Sequence, residues 1–229
     1  MWQQLRSTPF VGLALSPVTP LGSCTSVGAV DQNRIVSSVR SSEVVSDPCN
    51  VLALEAALRR QSSVDQVHLA GCHRVLRAQR FVDPNAFAHF VIFALVSSAR
   101  DSGTARTEAQ LLIMHLSFWQ QALNDLLGSS WGRFAYTLID NQSIGHRLVD
   151  AIQSELPDAS FPEYPERTQG IGYYHTAAFK IMAKTETNEL EIGDGGFVGW
   201  TAELIPDAKE RCLISCVAPE RIAGLMPEE

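Results

Sequence analysis

The hydrophobic and polar positions in the middle of the chain predict a long antiparallel hairpin. Val67–Gln79 is rich in Val, Leu and His, and Phe87–Ser97 is almost wholly apolar. Arg80–Ala86 lies between them and contains Asp83-Pro84-Asn85, residue types that favour a turn. A continuous apolar run of this length is typical of a strand that is buried on both faces. We therefore expect the return strand to lie inside the core.

Two stretches around this hairpin have the spacing of helices. Val51–Arg60 contains strong helix formers and ends in basic residues, and either Asp47 or Asn50 could cap it. Thr107–Leu127 presents a wide apolar face. His115 lies on or beside that face, and we interpret it as a hydrogen-bonded core histidine rather than a ligand.

The remaining segments predict a further helix, short strands and turns. Ile144–Leu156 is the third helix, and Trp200–Ile205 and a segment that begins at Pro219 are short helices. Turns are predicted at Lys184–Asn188 and at Gly193–Gly196. The predicted strands are Arg34–Val39, Glu43–Val45, Arg133–Asp140, Gly172–Ala183, Glu189–Ile192 and Cys212–Val217. This order predicts an α/β (α+β) fold in one domain over residues 1–229, with a mostly antiparallel sheet flanked by helices.

Composition and charge narrow the classes of partner. The chain has 229 residues, of which 45% are hydrophobic, so it can form a substantial core. Its net charge of −7 argues against tRNA or DNA as a partner, because nucleic acids bind basic surfaces. No apolar run is long enough to span a membrane, and we see no signal peptide. The five scattered cysteines are typical of reduced thiols, so we expect a cytoplasmic protein without a metal site.

Arginines are concentrated at the tip of the predicted hairpin. Arg74, Arg77 and Arg80 all lie close to the connecting loop. Guanidinium groups bind phosphate or carboxylate through paired, permanently charged hydrogen bonds, so this tip is suited to an anion. The alternative is a core hairpin with solvated arginines on its surface, and the spacing alone does not separate the two.

The hairpin also resembles the second signature motif of class II aminoacyl-tRNA synthetases. Arg77-Ala78-Gln79 stands where the family has Arg-x-Glu, and Phe87-Ala88-His89-Phe90 stands where it has Phe-x-x-Phe. The resemblance implies that Arg77 binds the α-phosphate of ATP and that Gln79 and Phe90 lie beside the nucleotide. It also implies Mg²⁺ together with ATP.

Two later segments extend the resemblance towards an amino-acid pocket. Residues 170–176 (GIGYYHT) resemble the family's Gly-Leu-Asp-Tyr-Tyr-Thr segment, which implies that Tyr173, Tyr174 and His175 shape the pocket. Because side chains alternate along a strand, only one of the two tyrosines should face it. Gly193–Val198 resembles the Gly-Gly-Arg-Tyr turn, which implies that Gly195 and Gly196 approach the substrate.

The end of the chain resembles the third signature motif. In residues 215–222 (SCVAPERI), Glu220 and Arg221 match the Glu-Arg pair that starts the family's closing helix, and Arg221 would face the γ-phosphate of ATP. The order of motifs is most similar to that of histidyl-tRNA synthetase and of the synthetase-like regulatory subunit of ATP phosphoribosyltransferase.

Departures from the family pattern limit the activity that the resemblance implies. Gln169 stands where the histidine enzyme has a charge-stabilising Arg, and Gln79 replaces a Glu. The sequence also stops soon after Arg221, where an anticodon-binding domain would begin. Because charge stabilisation is usually the largest catalytic effect in such chemistry, we expect no charging of tRNA.

Three classes of function remain open. The first is a synthetase-like paralogue that binds an amino acid or a nucleotide and acts as a homodimer or through a protein partner, with a regulatory role. The second is a small ligase that uses ATP and Mg²⁺ to activate an amino or carboxylic acid for an acceptor other than tRNA. The third is a structural protein whose fold binds no ligand.

Overall fold

A computed structural model of the chain describes residues 1–28, 30–39, 41–62, 65–78, 87–128, 131–140, 142–168, 170, 172–185 and 187–226. Within this part the strands are β1 (Val11–Leu13), β2 (Val18–Pro20), β3 (Ser37–Ser38), β4 (Ser42–Val44), β5 (Gln66–Leu76), β6 (His89–Arg100), β7 (Gly132–Leu138), β8 (His175–Lys184), β9 (Glu189–Val198) and β10 (Glu210–Val217). The α-helices are α1 (Ser23–Val27), α2 (Pro48–Gln61), α3 (Arg106–Leu127), α4 (Gln142–Glu155), α5 (Trp200–Leu204) and α6 (Pro219–Ala223).

The main sheet contains seven described strands in the order β1-β5-β6-β10-β9-β8-β7. Only the β1–β5 pair among them is parallel, and the other neighbours are antiparallel. A separate three-stranded sheet, β2-β4-β3, lies near the N-terminus. The predicted α/β architecture, a mostly antiparallel sheet flanked by helices, is therefore confirmed.

The β5–β6 hairpin lies between β1 and β10 in the sheet, and helices cover both of its faces. Helix α2 packs against β5 and β6 on one face, and α3 packs against β6 and β10 on the other. The strands pair continuously from Gln66 opposite Ala99 to Leu76 opposite His89, and β6 is buried from Ile92 to Ala99. The predicted hairpin is confirmed over this length. The predicted loop Arg80–Ala86 and Gln79 lie outside the described residues.

Helix α2 begins where the sequence provides an N-cap. The Asp47 carboxylate accepts a hydrogen bond from the Cys49 amide at 2.9 Å, and Pro48 occupies the first turn. Asp47 therefore caps the helix. Asn50 is instead buried inside the first turn, and its Nδ2 donates to the Cys24 carbonyl at 2.9 Å.

His115 is a core residue of α3, as its position on the apolar face predicts. It is fully buried, and its ring nitrogens lie 2.7 Å from Ser215 Oγ and 2.9 Å from Ser97 Oγ. Trp119 Nε1 also donates to Ser215 Oγ at 2.8 Å. Because every polar atom in this group has a partner, α3 is held in one register against β6 and β10.

Two predictions about the last third of the chain were wrong. Gly193–Gly196 does not form a turn but lies in the interior of β9. Glycine is needed at several of these positions because neighbouring residues leave no room for a side chain. A Cβ on Gly193 would lie 2.1 Å from the Cys216 carbonyl oxygen. The segment before β8 is a turn rather than a strand: the amides of Tyr173 and Tyr174 both donate to the Gly170 carbonyl at 3.1 Å.

The N-terminal arm is also less regular than its alternation predicts. Strand β3 covers only Ser37–Ser38, and Gln32–Arg34 forms a 3₁₀ turn. Across the described residues, no helix combines the length and the apolar character that a membrane-spanning segment requires.

Candidate functional site

A cavity of about 680 Å³ opens where the β5–β6 hairpin meets β9, β10 and the first turns of α2 and α6. This volume lies in the range of small-molecule sites. We call it the main cavity. The described side chains that line it and that bear on its chemistry are Asp47, Cys49, Arg77, Phe90, Tyr173, Tyr174, Glu191, Asp194, Cys216, Glu220 and Arg221.

Arg77 lies at one end of the main cavity and is held on several sides. Its guanidinium lies over the ring of Phe90, 5.0 Å from the ring centroid. Its Nε donates to the Ser46 carbonyl at 3.3 Å, and its Nη2 lies 3.6 Å from Asp47 Oδ2. A guanidinium fixed in this way loses little conformational freedom when it binds an anion.

Arg221 lines the same cavity from the first turn of α6. Its Nη1 donates to the Glu191 carbonyl at 2.7 Å. The preceding residue, Glu220, fixes this helix against β6 because its two carboxylate oxygens accept from the Val91 amide at 3.1 and 2.9 Å. Arg77, Phe90, Glu220 and Arg221 thus surround one cavity. Their binding of ATP stays a prediction.

A second charged group lies where the turn before β8 meets β9. Arg167 Nη2 contacts Asp194 Oδ2 at 2.8 Å, and the Tyr174 hydroxyl donates to the same oxygen at 3.1 Å. The Arg167 guanidinium also lies 5.1 Å from the centroid of the Tyr174 ring. Burial raises the pKa of Asp194, although the neighbouring positive charge of Arg167 acts in the opposite direction. The main cavity is therefore lined here by a carboxylate that the fold holds in place.

Both predicted tyrosines line the main cavity, so the expectation that only one could do so was wrong. Strand alternation does not apply, because Tyr173 and Tyr174 lie in the turn before β8. Their rings pack edge to face with centroids 4.8 Å apart. Burial raises the pKa of each phenol, so both hydroxyls stay protonated at neutral pH.

Three other predicted substrate-binding residues are not among the described lining residues of the main cavity. His175 is exposed at the start of β8. Gly195 lies beneath Phe179, where a Cβ would be 2.7 Å from the ring, and Gly196 lies beneath Tyr174, where a Cβ would be 2.5 Å from the ring. The two glycines therefore make room for aromatic side chains, and any contact with a ligand stays a prediction. Gln169, like Gln79, lies outside the described residues.

Sequence reasoning missed Asp194, Cys49 and Cys216 as lining residues. The signal for Asp194 was a lone charged residue inside a glycine run, which is unusual in a strand interior. The two cysteines are far apart in the sequence, and only the packing of α2 on β10 brings them together. The pKa of the Cys49 thiol is raised, first by its hydrogen bond with Cys216 and then by burial, so this thiol is a poor nucleophile.

Charged residues of both signs line the described part of the main cavity. They are four acidic residues (Asp47, Glu191, Asp194 and Glu220) and two arginines (Arg77 and Arg221). Two of the acids pair with cations outside the lining, Asp194 with Arg167 and Glu191 with Lys180. This mixture suits a ligand that carries both an anionic and a cationic group. Among the described residues, no three His, Cys, Asp or Glu side chains are grouped closely enough to hold a metal ion.

Comparison with solved structures identifies the fold. The chain is similar to apo histidyl-tRNA synthetase from S. aureus, with a TM-score of 0.72 and 12% identity over 97% of this chain. The chain has a class II synthetase-like core. It spans 62% of the length of the S. aureus structure.

Two further solved structures share this core. The first is described as an ATP phosphoribosyltransferase regulatory subunit/histidyl-tRNA synthetase from Bacillus halodurans, with a TM-score of 0.68, 10% identity, and coverage of 99% of this chain and 77% of that one. The second is a histidine–tRNA ligase subunit from Alicyclobacillus acidocaldarius, with a TM-score of 0.71, 9% identity, and coverage of 97% and 89%. No family model and no curated protein sequence matches the chain. Identities this low show the fold alone.

Proposed function

We propose that this protein is a synthetase-like paralogue whose main cavity binds an amino acid, ATP or both, without charging tRNA. The observation that carries the proposal is the shared cavity of Arg77 and Arg221, two residues that match separate signature motifs. We also propose that the protein has a regulatory role, which it exerts as a homodimer or together with another protein. The regulatory-subunit neighbour supports it by fold alone.

The geometry supports different ligand groups at different parts of the main cavity. Arg77 and Arg221 are the groups suited to phosphate or carboxylate. Asp194 and Asp47 are suited to an ammonium group, and Tyr174 already donates its hydroxyl proton to Asp194. The main cavity therefore contains groups complementary to an amino acid and groups complementary to the phosphates of a nucleotide.

Mg²⁺ is the metal that ATP normally brings to a protein. Glu191 and Glu220 both line the main cavity, and they are the residues that would contact such an ion. The Glu191 carboxylate is also in contact with Lys180 Nζ at 2.7 Å, and the Glu220 carboxylate accepts from the Val91 amide. The ion would supply positive charge between these carboxylates and the phosphates. Without it, the phosphates would lie near carboxylates as well as near Arg77 and Arg221, so we expect ATP to bind with Mg²⁺ and weakly alone.

The absence of tRNA charging is proposed from the sequence and from the charge of the protein. The net charge of −7 disfavours binding to an RNA backbone. Gln169 and Gln79 are neutral where the family has charged residues, and the loss of one charge-stabilising donor typically costs about 10²–10³-fold in rate. Weak formation of an adenylate remains compatible with Arg77 and Arg221.

The test is a thermal-shift screen of the twenty amino acids with and without ATP–Mg²⁺. A ligand present at about 100 times its Kd should stabilise the protein by about 2.7 kcal/mol. Arg77→Gln and Arg221→Gln should each weaken ATP–Mg²⁺ binding about tenfold or more, because hydrogen bonds to charged groups contribute about 1.5–3 kcal/mol. Arg147→Gln, an exposed change on α4, is the matched control. If neither cavity variant alters the affinity, the proposal fails.

The alternative is a small ligase that forms an acyl-adenylate for an acceptor other than tRNA. Arg77 and Arg221 favour it, because both charges that the resemblance assigns to phosphate binding are present. A pyrophosphate-exchange assay run beside a tRNA-charging assay separates the two functions. Exchange without charging supports the ligase, and ligand binding with neither reaction supports the regulatory paralogue. Charging at about 1 s⁻¹ or faster, an ordinary turnover, would contradict both.

A further inference from the structure

Two thiols that the proposed binding function does not use meet in the main cavity. Cys49 lies in the first turn of α2 and Cys216 lies near the end of β10, and both line the cavity. The Cys49 thiol is hydrogen-bonded to the Cys216 sulfur. Two cysteines can form a disulfide without a large backbone movement only where their side chains already point at each other, and this pair meets that condition.

The two sulfurs differ in their access to the cavity. Cys49 is 1% exposed and packs in the apolar cluster between α2 and the sheet. Cys216 is half-buried, and its backbone pairs with Ala94 on one side and with Asp194 on the other, so its side chain provides the exposed surface. A small molecule that enters the cavity therefore meets Cys216 first.

The other three cysteines, which also lie within the described residues, are placed differently. Cys212 lies on the same face of β10 as Cys216, but residues four apart in a strand are separated by about 13 Å. A disulfide needs Cα atoms within about 7 Å of each other. Cys72 packs against the cluster on the opposite face of the sheet, and the buried Cys24 thiol donates to a backbone carbonyl at 3.8 Å. Cys49 and Cys216 are therefore the pair that the fold selects.

A disulfide fits this pair better than a metal ion does. Structural zinc sites are typically four-coordinate. Among the described residues, no group of three potential metal ligands surrounds the two thiols. The pair is thus suited to a reaction between its own sulfurs.

We propose that Cys49 and Cys216 form a reversible disulfide that joins α2 to β10 in the wall of the main cavity. The oxidant is a low-molecular-weight disulfide. The Cys216 thiolate attacks one of its sulfurs, which breaks the S–S bond of the oxidant, forms a mixed disulfide and releases the first thiol. The Cys49 sulfur then attacks the Cys216 sulfur, which forms the protein disulfide and releases the second thiol. The two released thiols take up the protons that the cysteines lose, so two electrons pass from the protein to the oxidant.

Contact between the sulfurs offsets the low reactivity of Cys49. Its thiol is a poor nucleophile, but it already touches the sulfur that it attacks. The second step is therefore intramolecular and needs no further encounter. An excess of thiol reverses both steps.

A disulfide also changes the anion-binding end of the main cavity. Its S–S bond is about 2.05 Å long, much shorter than a hydrogen bond between thiols, so the first turn of α2 must move towards β10. Asp47 caps that turn and lies 3.6 Å from Arg77. Oxidation should therefore weaken ATP–Mg²⁺ binding by about tenfold, the scale of one misplaced hydrogen bond to a charged group. This effect rests on the proposed function, whereas formation of the disulfide does not.

The experiment oxidises the whole folded protein with mixtures of 2-mercaptoethanol and its disulfide. Free thiols are then blocked with an alkylating agent in denaturant, and mass spectrometry of non-reduced peptides locates the bonds. We expect Cys49 to be joined to Cys216 and the other three cysteines to be alkylated. An excess of 2-mercaptoethanol should restore all five thiols.

Single variants separate the roles of the two sulfurs. Cys49→Ser should stop the reaction at the mixed disulfide on Cys216, whereas Cys216→Ser should leave Cys49 free. Cys212→Ser, on the same strand, is the matched control and should form the bond as the wild type does. Urea denaturation of each variant establishes that it is folded under the conditions of the reaction.

The inference is overturned if the folded wild type forms no bond between Cys49 and Cys216, if it stops at a mixed disulfide, or if the bond forms only in urea. If the bond forms and ATP–Mg²⁺ binds equally to the oxidised and reduced proteins, control of the cavity by oxidation is refuted. If the bond forms in a protein that binds no ATP–Mg²⁺ in either state, the disulfide is supported and the proposed function is not.

Discussion

Gly196 tests the packing of the candidate site most directly. A Cβ at this position would lie 2.5 Å from Tyr174 Cδ1 and 3.0 Å from the Ala177 carbonyl oxygen. Gly196→Ala therefore has to displace the Tyr174 ring, because the other close atom belongs to the backbone. Overpacking of this kind costs about 1–3 kcal/mol. The shift would also weaken the hydrogen bond from Tyr174 to Asp194, which is worth about 1.5 kcal/mol or more because the acceptor is charged.

The expected loss of unfolding free energy is therefore about 2–4 kcal/mol. Urea denaturation with equal m-values for wild type and variant measures it. Gly224→Ala is the matched control, because the nearest atoms to its Cβ would be 3.7 Å away, an ordinary contact. We expect that variant to stay within about 0.5 kcal/mol of the wild type. If Gly196→Ala is no less stable than Gly224→Ala, Gly196 does not act by making room for Tyr174.

Two further predictions concern buried polar groups. Glu210→Gln should cost about 3 kcal/mol in urea denaturation because it removes a buried carboxylate that is paired with the partly buried Arg60 guanidinium. Glu189→Gln, at a more exposed pair, should cost about 1 kcal/mol or less. Equal losses would contradict this reasoning. Burial lowers the pKa of His115 and of His68, and the charge of His68 adds to the effect on His115. Above their ordinary pKa of 6.5 both are neutral in the folded and unfolded states, whereas below it only the unfolded state gains protons. Stability should therefore fall as the pH drops from 6.5 towards 5, by up to about 1.4 kcal/mol per pH unit for each histidine. His115→Gln should flatten this dependence, and an equally steep profile in that variant would refute the assignment.

The central hairpin was predictable because its sequence pattern is dominated by burial. A run of apolar residues from Phe90 to Val96 has no polar face, so it must be covered on both sides. Most of helix α2 was predictable for another local reason, since strong helix formers fill Val51–Arg60 and Asp47 was one of its two candidate caps. The helix begins at Pro48, three residues earlier than predicted. In both cases the signal that predicts the element is local: an apolar pattern that repeats along the strand, or a cap within a few residues of the helix.

The glycine run of β9 was not predictable from local signals. Clusters of glycine usually mark turns, because glycine adopts backbone conformations that other residues avoid. In Gly193–Gly196 the glycines serve a different purpose, which is to admit the Cys216 carbonyl, Phe179 and Tyr174. These neighbours come from β10, β8 and the turn before β8, so only the assembled sheet shows why side chains are excluded.

The position of Arg167 bears on whether the cavity retains the catalytic charge of a synthetase. Gln169 stands where the resemblance implies an arginine, and Arg167 is the nearest guanidinium in the sequence. The fold directs that group elsewhere, because it contacts Asp194 at 2.8 Å and lies over Tyr174. Its side chain is 2% exposed, and it is not among the described residues that line the main cavity. A guanidinium engaged in this way positions the carboxylate and the tyrosine but is not available to stabilise charge on a reacting phosphate. The substitution at Gln169 therefore has no replacement from Arg167, which supports ligand binding without tRNA charging.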